Sequence, residues 1–139
     1  MTRTDEKVRY EPKSKVDASG APYTPQTAAS DVAATLGILE GRWKLLILFH
    51  LFDGKEHRFS ELERAMPGIS QKMLIQQLRQ LESDGVVRRI VHHQVPPKVE
   101  YRLTEWGQAL CPALDAILVW AAARERLADA GTVAEPSPQ

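Results

Sequence analysis

Lys72, Gln76 and Arg79 stand four and three residues apart, the spacing that gathers side chains on one side of a helix. Lysine and arginine donate to phosphate oxygens and to guanine edges, and glutamine matches the donor and acceptor of adenine. A second cationic group follows: between residues 86 and 102, Arg88, Arg89, Lys98 and Arg102 are set against Glu100 alone. These residue types recognise a polyanion and do not make or break bonds. No Ser-His-Asp, paired-carboxylate or phosphate-loop arrangement occurs, and neither GxGxxG nor GxxxxGKS/T is present, so no enzyme is expected.

To act together, these side chains must be carried on a helix and a ribbon. In MPGIS, Pro67 and Gly68 cannot both sit inside a helix, so the chain turns there. Ser70 then caps a helix that starts at about Gln71. Leu74, Leu78 and Leu81 form its apolar stripe, with Lys72, Gln76, Arg79 and Ser83 opposite. Ile69 and Leu74 have the spacing of a hydrophobic staple. Ser70 and Gln71 offer the helix N-terminus to a phosphate. Asp84 and Gly85 end the helix. VVRRIVHH and VEYRL read as two strands joined by a proline-stiffened loop. Strand alternation sends Arg88 and Arg89 to opposite faces, so only one of them need touch DNA, together with Lys98. A helix of this kind beside a cationic hairpin is a winged helix-turn-helix. The expected fold class is therefore α+β, mainly α: a winged helix-turn-helix with extra N- and C-terminal dimerisation helices.

The remaining chain supplies the body. Residues 1–27 alternate charges with prolines and read as a flexible N-terminal arm, 28–127 as the domain, and 128–139 as a flexible tail. Asp31 is the expected cap of a first helix carrying Val32, Leu36 and Leu39. The next helix, about Trp43 to Phe52, is apolar around nearly its whole circumference and reads as the central core helix, with Arg42 and Lys44 as secondary DNA candidates. KEHRF supplies a short strand, and FSELERAM the first helix of the helix-turn-helix, capped by Ser60 with Phe59, Leu62 and Met66 inward. Thr104 caps a last helix, which Pro112 should kink near Gln108. Its broad stripe of Trp106, Leu110, Leu114, Ile117, Leu118 and Ala121 exceeds what a small core can cover. A dimer interface is expected, formed by Val32, Leu36 and Leu39 with Leu110, Leu114, Ile117, Leu118 and Ala121. Trp43, Trp106 and Trp120 are expected in the core, an effector cavity being the alternative. His50 reads as a core or half-exposed histidine. His92 and His93 are adjacent on a strand and point apart, so neither a metal site nor a cofactor is expected.

With 139 residues the chain is large enough for one domain with tails. Eighteen Lys and Arg balance eighteen Asp and Glu, which at first counts against a nucleic-acid partner. The charges are segregated, however: residues 31–103 hold eleven cations against nine acids, and 104–139 hold two against five. Moderate, strongly salt-sensitive DNA affinity is the expectation. The single cysteine, Cys111, permits no internal disulfide. The charged N-terminus lacks a signal-peptide run, and the apolar stretch LLILFHLF is too short to span a bilayer. A cytoplasmic protein without a membrane partner is expected.

GRWKLLIL, RFSELERAMPGISQKMLIQQLRQLESDGVVRR, VPPKVEYRLTEWGQAL and the later VW resemble the HxlR-type family of bacterial winged-helix transcriptional regulators. The resemblance runs from about Asp31 to Ala122, carried by GISQK, LESDG, PPKVEY and the T..G pair in that order. It implies a homodimeric regulator, repressing rather than activating, that binds an inverted repeat in double-stranded DNA, with dimer contacts from the first and last helices. A winged-helix protein-interaction module without DNA binding is the alternative. The small-molecule effector, if there is one, is not legible. Many members carry a Cys-Pro pair at the start of the first helix, where this chain has Ser30 and Asp31. Cys111 lies in an apolar helix without a nearby cation in sequence to lower its pKa, and reads as an inert buried thiol. Mild thiol oxidants should therefore leave DNA affinity unchanged in gel shifts; a large loss that Cys111→Ser abolishes would contradict this.

Overall fold

The computed structural model describes residues 16–131, and the chain divides into two compact units at Glu40 and Gly41. In the first unit, the Asp17 carboxylate accepts hydrogen bonds from Ser19 N (2.9 Å) and Ala21 N (3.0 Å), closing a turn that pairs Val16 with Pro22. Helix α1 spans Pro25–Ile38. Its cap, Thr24, lies seven residues before the expected Asp31, because Thr24 and Thr27 cap one another: Thr27 N donates to Thr24 Oγ1 at 3.1 Å and Thr24 N to Thr27 Oγ1 at 2.9 Å. Pro25 at the first helical position needs no N–H there. The last residues assigned to the arm, 25–27, thus belong to a helix, while residues 1–15 lie outside the described part. Asp31 sits within α1 and accepts from the Tyr23 hydroxyl at 3.2 Å. No residue of α1 is buried.

The second unit opens with α2, Lys44–Leu51. Ile47, Leu48 and Leu51 are sealed from solvent, but Leu45, Leu46 and Phe49 are exposed, so only one side of this apolar helix faces the core. His50 is half-buried. Strand β1, His57–Arg58, leads directly into α3, Phe59–Ala65. The Glu61 carboxylate accepts the Arg58 N–H at 3.1 Å, which starts α3 at Phe59 and leaves Ser60 inside the first turn instead of at the cap. Leu62 and Met66 are buried as expected, and Phe59 is half-buried. Then come α4 (Gln71–Ser83), β2 (Val87–His92), β3 (Lys98–Leu103) and α5 (Glu105–Asp129). The three strands form an antiparallel sheet in the order β1-β3-β2. The molecule is thus a mainly helical winged helix-turn-helix with a small sheet and a long C-terminal helix.

One junction ties the end of α4, the base of the wing and the start of α5. Thr104 N donates to Val86 O at 3.0 Å, its hydroxyl donates to Gly85 O at 2.7 Å, and the same oxygen accepts Gly107 N at 3.0 Å. Gln108 Nε2 donates to Phe52 O at 3.0 Å, fixing the first turn of α5 to the end of α2. The helix continues through Pro112 to Asp129. Of its expected stripe, Leu114 is buried and Leu110 half-buried, whereas Trp106, Ile117, Leu118 and Ala121 are exposed. Of the expected interface residues, Leu39 and Leu114 are already buried in the single chain, whereas Val32, Leu36, Ile117 and Leu118 are exposed. Cys111 is half-buried, not buried. By length and composition alone α5 could cross a bilayer, although it holds no long uninterrupted apolar run.

A methyl group at Gly107 would overlap the Val86 carbonyl oxygen. In an unobstructed helix, glycine to alanine stabilises by up to about 1 kcal/mol. Here the backbone overlap should reverse the sign: Gly107→Ala is expected to cost about 1–3 kcal/mol in urea unfolding, and an unchanged or raised midpoint would contradict this packing.

Candidate nucleic-acid interface

The corner between α3 and α4 is built as the sequence requires. Gly68 takes a φ of +93°, a conformation that L side chains rarely adopt, and Ile69 N donates to Met66 O at 3.2 Å. Ser70 is extended, and its hydroxyl accepts Met73 N at 3.0 Å, satisfying one of the free amides of the first turn. Leu74, Leu78 and Leu81 are at most 1% exposed. Lys72, Gln76, Arg79 and Ser83 are all exposed. The helix ends as expected at Asp84, with Gly85 at a φ of +80° and Val86 N returning to Leu81 O at 2.9 Å.

The sheet register decides which wing cations share the side of α4. Arg89 pairs with Tyr101, Arg88 with Arg102, and successive residues alternate between faces. Arg89 therefore lies on the Tyr101 side. With Gln71, Ile75, Arg79, Tyr101 and others it lines a recess of about 550 Å³ between α4 and the wing. Lys72, Gln76 and Arg79 border a second, shallower depression on the outer surface of α4. Arg79 thus belongs to both. Arg88 is on the other face, in a depression with Arg102, Thr104 and Trp106. The structure brings together Gln71, Lys72, Gln76, Arg79 and Arg89, and keeps Arg88 and Lys98 apart from them.

Two of the wing cations have partners that the count of charges did not reveal. Lys98 Nζ is 3.6 Å from Glu100 Oε1, and Arg102 Nη1 is 4.0 Å from Glu56 Oε1. His92 Nε2 lies 2.7 Å from the same Glu100 oxygen. Burial pushes the Glu100 carboxyl up, but the hydrogen bond with His92 and the Lys98 and His92 charges outweigh it, so its pKa falls below the ordinary glutamate value. His93 lies beyond the end of β2 and does not join this group. His92 was weighed only with His93, and its grouping with Glu56 and Glu100 was not read from the sequence, because their proximity depends on a strand register that spans more than forty residues.

Trp106 and Trp120 are 57% and 76% exposed, so the expected core role does not hold for them. Trp43 is half-buried at the start of α2 with the Arg42 guanidinium 4.5 Å from its ring. Lys44 is buried. Neither cation belongs to the surface described for α4 and the wing.

A leucine-anchored second helix with a polar outer face, followed by an antiparallel hairpin, defines the winged helix-turn-helix class of DNA-binding proteins. The family model described as HxlR-like helix-turn-helix matches residues 38–128, and the chain belongs to that family. It is 58% identical over 91 residues, 66% of this chain and 71% of the relative, to the HTH-type transcriptional regulator YtcD of Bacillus subtilis (strain 168). The crystal structure of YtcD superposes with a TM-score of 0.62 at 57% identity, covering 66% of this chain and 92% of that one. The reduced form of the redox regulator HypR gives 0.63 at 44% identity, over 72% and 98%. A MarR-family transcriptional regulator from Enterococcus faecalis V583 gives 0.67 at 38%, over 75% and 91%. The protein is an HTH-type transcriptional regulator of the HxlR family, not an enzyme, and DNA is the partner such a regulator implies.

Ser70→Ala removes the acceptor for Met73 N and should cost about 1 kcal/mol of stability in thermal or urea unfolding. Glycine at the same position, which tolerates the extended cap conformation, should lose only a few tenths. Equal losses for the two variants would mean that the cap is not what starts α4.

Proposed function

We propose that the protein is a homodimeric, sequence-specific regulator that reads an inverted-repeat operator with α4 in the major groove and the wing beside it. Repression is preferred to activation, and the cytoplasm is the proposed compartment. The observation that carries this reading is the division of α4: three leucines buried on one side, and Lys72, Gln76 and Arg79 exposed on the other. Arg79 is the proposed base reader, since it sits at the middle of the exposed surface. Arg89, which shares a recess with Arg79, is the proposed wing contact to phosphate. Ser70 and Gln71 bring backbone amides of the helix start towards the DNA backbone. Arg88 and Lys98 are secondary contacts, the first on the opposite sheet face and the second held by Glu100.

The dimer follows from apolar surface. Ile117, Leu118, Val119 and Trp120 are 49–76% exposed on α5, and Val32 and Leu36 are 57% and 53% exposed on α1. Exposed apolar surface on a helix marks an interface, and a second copy of the chain is the proposed cover for each helix. Two-fold pairing would set the recognition helices about 34 Å apart, one turn of DNA. HypR is a redox regulator, but α1 of this chain contains no cysteine, and oxidant sensing through a thiol in that helix is not proposed.

Selection of bound duplexes from a random library tests specificity and symmetry together. The expected result is a pseudo-palindrome with half-sites one helical turn apart. Arg79→Ala should cost about 1–3 kcal/mol and relax one position of the site, whereas Arg89→Ala should weaken all sequences alike and lower the salt slope by about one. Recovery of unrelated sequences, or an Arg79→Ala protein with full affinity, would contradict the reading.

A further inference from the structure

Three metal-binding side chains converge on the wing face that carries Arg88 and Arg102, away from the α4 recess. Glu56 precedes β1, His92 ends β2 and Glu100 lies in the central strand β3. One donor atom from each lies within 4.8 Å of the other two. The register accounts for this. Ile90 is opposite Glu100 and His92 opposite Lys98, which makes His92 and Glu100 diagonal neighbours on one face. On the other side of β3, His57 is opposite Tyr101, which brings Glu56 level with Arg102 on the same face.

An imidazole with two carboxylates is a donor set for divalent first-row transition metals, and zinc in particular accepts three such ligands with a fourth position left to water. Bonds of about 2.0–2.2 Å to one ion require donors roughly 3.5 Å apart. All three donors already lie within 4.8 Å of one another, and the 2.7 Å contact between His92 and Glu100 would have to open by a movement within reach of side-chain rotation. Glu100 is only 9% exposed, so water screens its charge poorly and a dication beside it would be held strongly. The other histidine flanked by acids lacks this geometry: Asp53 approaches Nε2 of His57 at 2.8 Å and Glu61 approaches Nδ1 at 3.9 Å, on opposite edges of the ring.

We propose that Glu56, His92 and Glu100 form a binding site for a divalent transition-metal ion of the zinc type, which clamps both wing strands to the segment before β1. Metal would draw Glu100 away from Lys98 and free that ammonium for a phosphate, a consequence that rests on the DNA-binding reading although the metal site itself does not.

The test is zinc titration of the full, chelator-treated protein without DNA, followed by calorimetry or by competition with a chromophoric chelator. One zinc ion per chain is expected, with affinity at least about tenfold weaker in Glu56→Gln and in His92→Gln and unchanged in His57→Gln and Cys111→Ser. Glu56 is exposed, so its variant leaves the core intact, and thermal unfolding checks the His92 variant. Absence of stoichiometric zinc binding, its persistence in both site variants, or its loss in His57→Gln or Cys111→Ser would each overturn the proposal. Because no DNA is present, a negative result here is distinct from a failure to find an operator.

Discussion

The burial of Leu74, Leu78 and Leu81 along one side of α4 is the constraint on which the rest of the structure depends. Each buried leucine contributes about 1.5–3 kcal/mol, so the rotation of the helix about its own axis is not free. Turning it by one residue would expose a leucine and bury Lys72 or Arg79, a change that costs more than any surface contact could return. The polar side is therefore held outward by the apolar side. Ser70 sets where the helix begins, and Gly85 with Val86 sets where it stops and the wing starts. Because Thr104 bonds to Gly85 and Val86 and also caps α5, the same junction fixes the wing base and the departure of the last helix.

Electrostatics then selects among the cations. In a chain of zero net charge a basic face depends on segregation of charge, and the wing uses much of its local excess in internal pairs. Glu100 holds Lys98 and His92, and Glu56 lies near Arg102. What remains is a smaller group in which Arg79 and Arg89 line one recess together with Ile75, Val99 and Tyr101. Two guanidinium groups placed this way repel weakly on their own and gain from an anion between them. Affinity resting on so few charges depends on fit as much as on counterion release.

The parts of the fold that local chemistry specifies were legible in the chain. The Pro67-Gly68 corner, the Ser70 cap, the leucine spacing and the Asp84-Gly85 stop gave α4 its limits, and the alternation of VVRRIVHH and VEYRL gave the wing. The parts that depend on what lies opposite were not. In α2 and α5 apolar residues occupy more than one face, and periodicity cannot tell a face packed on the core from one left open; hence Leu45, Phe49, Trp106 and Trp120 were read as interior and are exposed. Thr24 and Pro25 carried a helix-start signal, but the charged, proline-rich context masked it. Arg88 and Arg89 could be assigned to opposite faces from alternation, yet only the pairing of Arg89 with Tyr101 says which face meets α4. The grouping of Glu56 with His92 and Glu100 likewise needs the register of all three strands.

We propose that α4 is fixed by its leucines so that its opposite side meets a DNA groove. Amide and side-chain chemical-shift mapping on titration with a selected half-site duplex tests it most directly. The largest changes are expected on Gln71, Lys72, Gln76, Arg79 and Arg89, while Leu74, Leu78 and Leu81 keep their free-state packing. Shifts confined to α2 or α5, with the polar side of α4 unmoved, would contradict it.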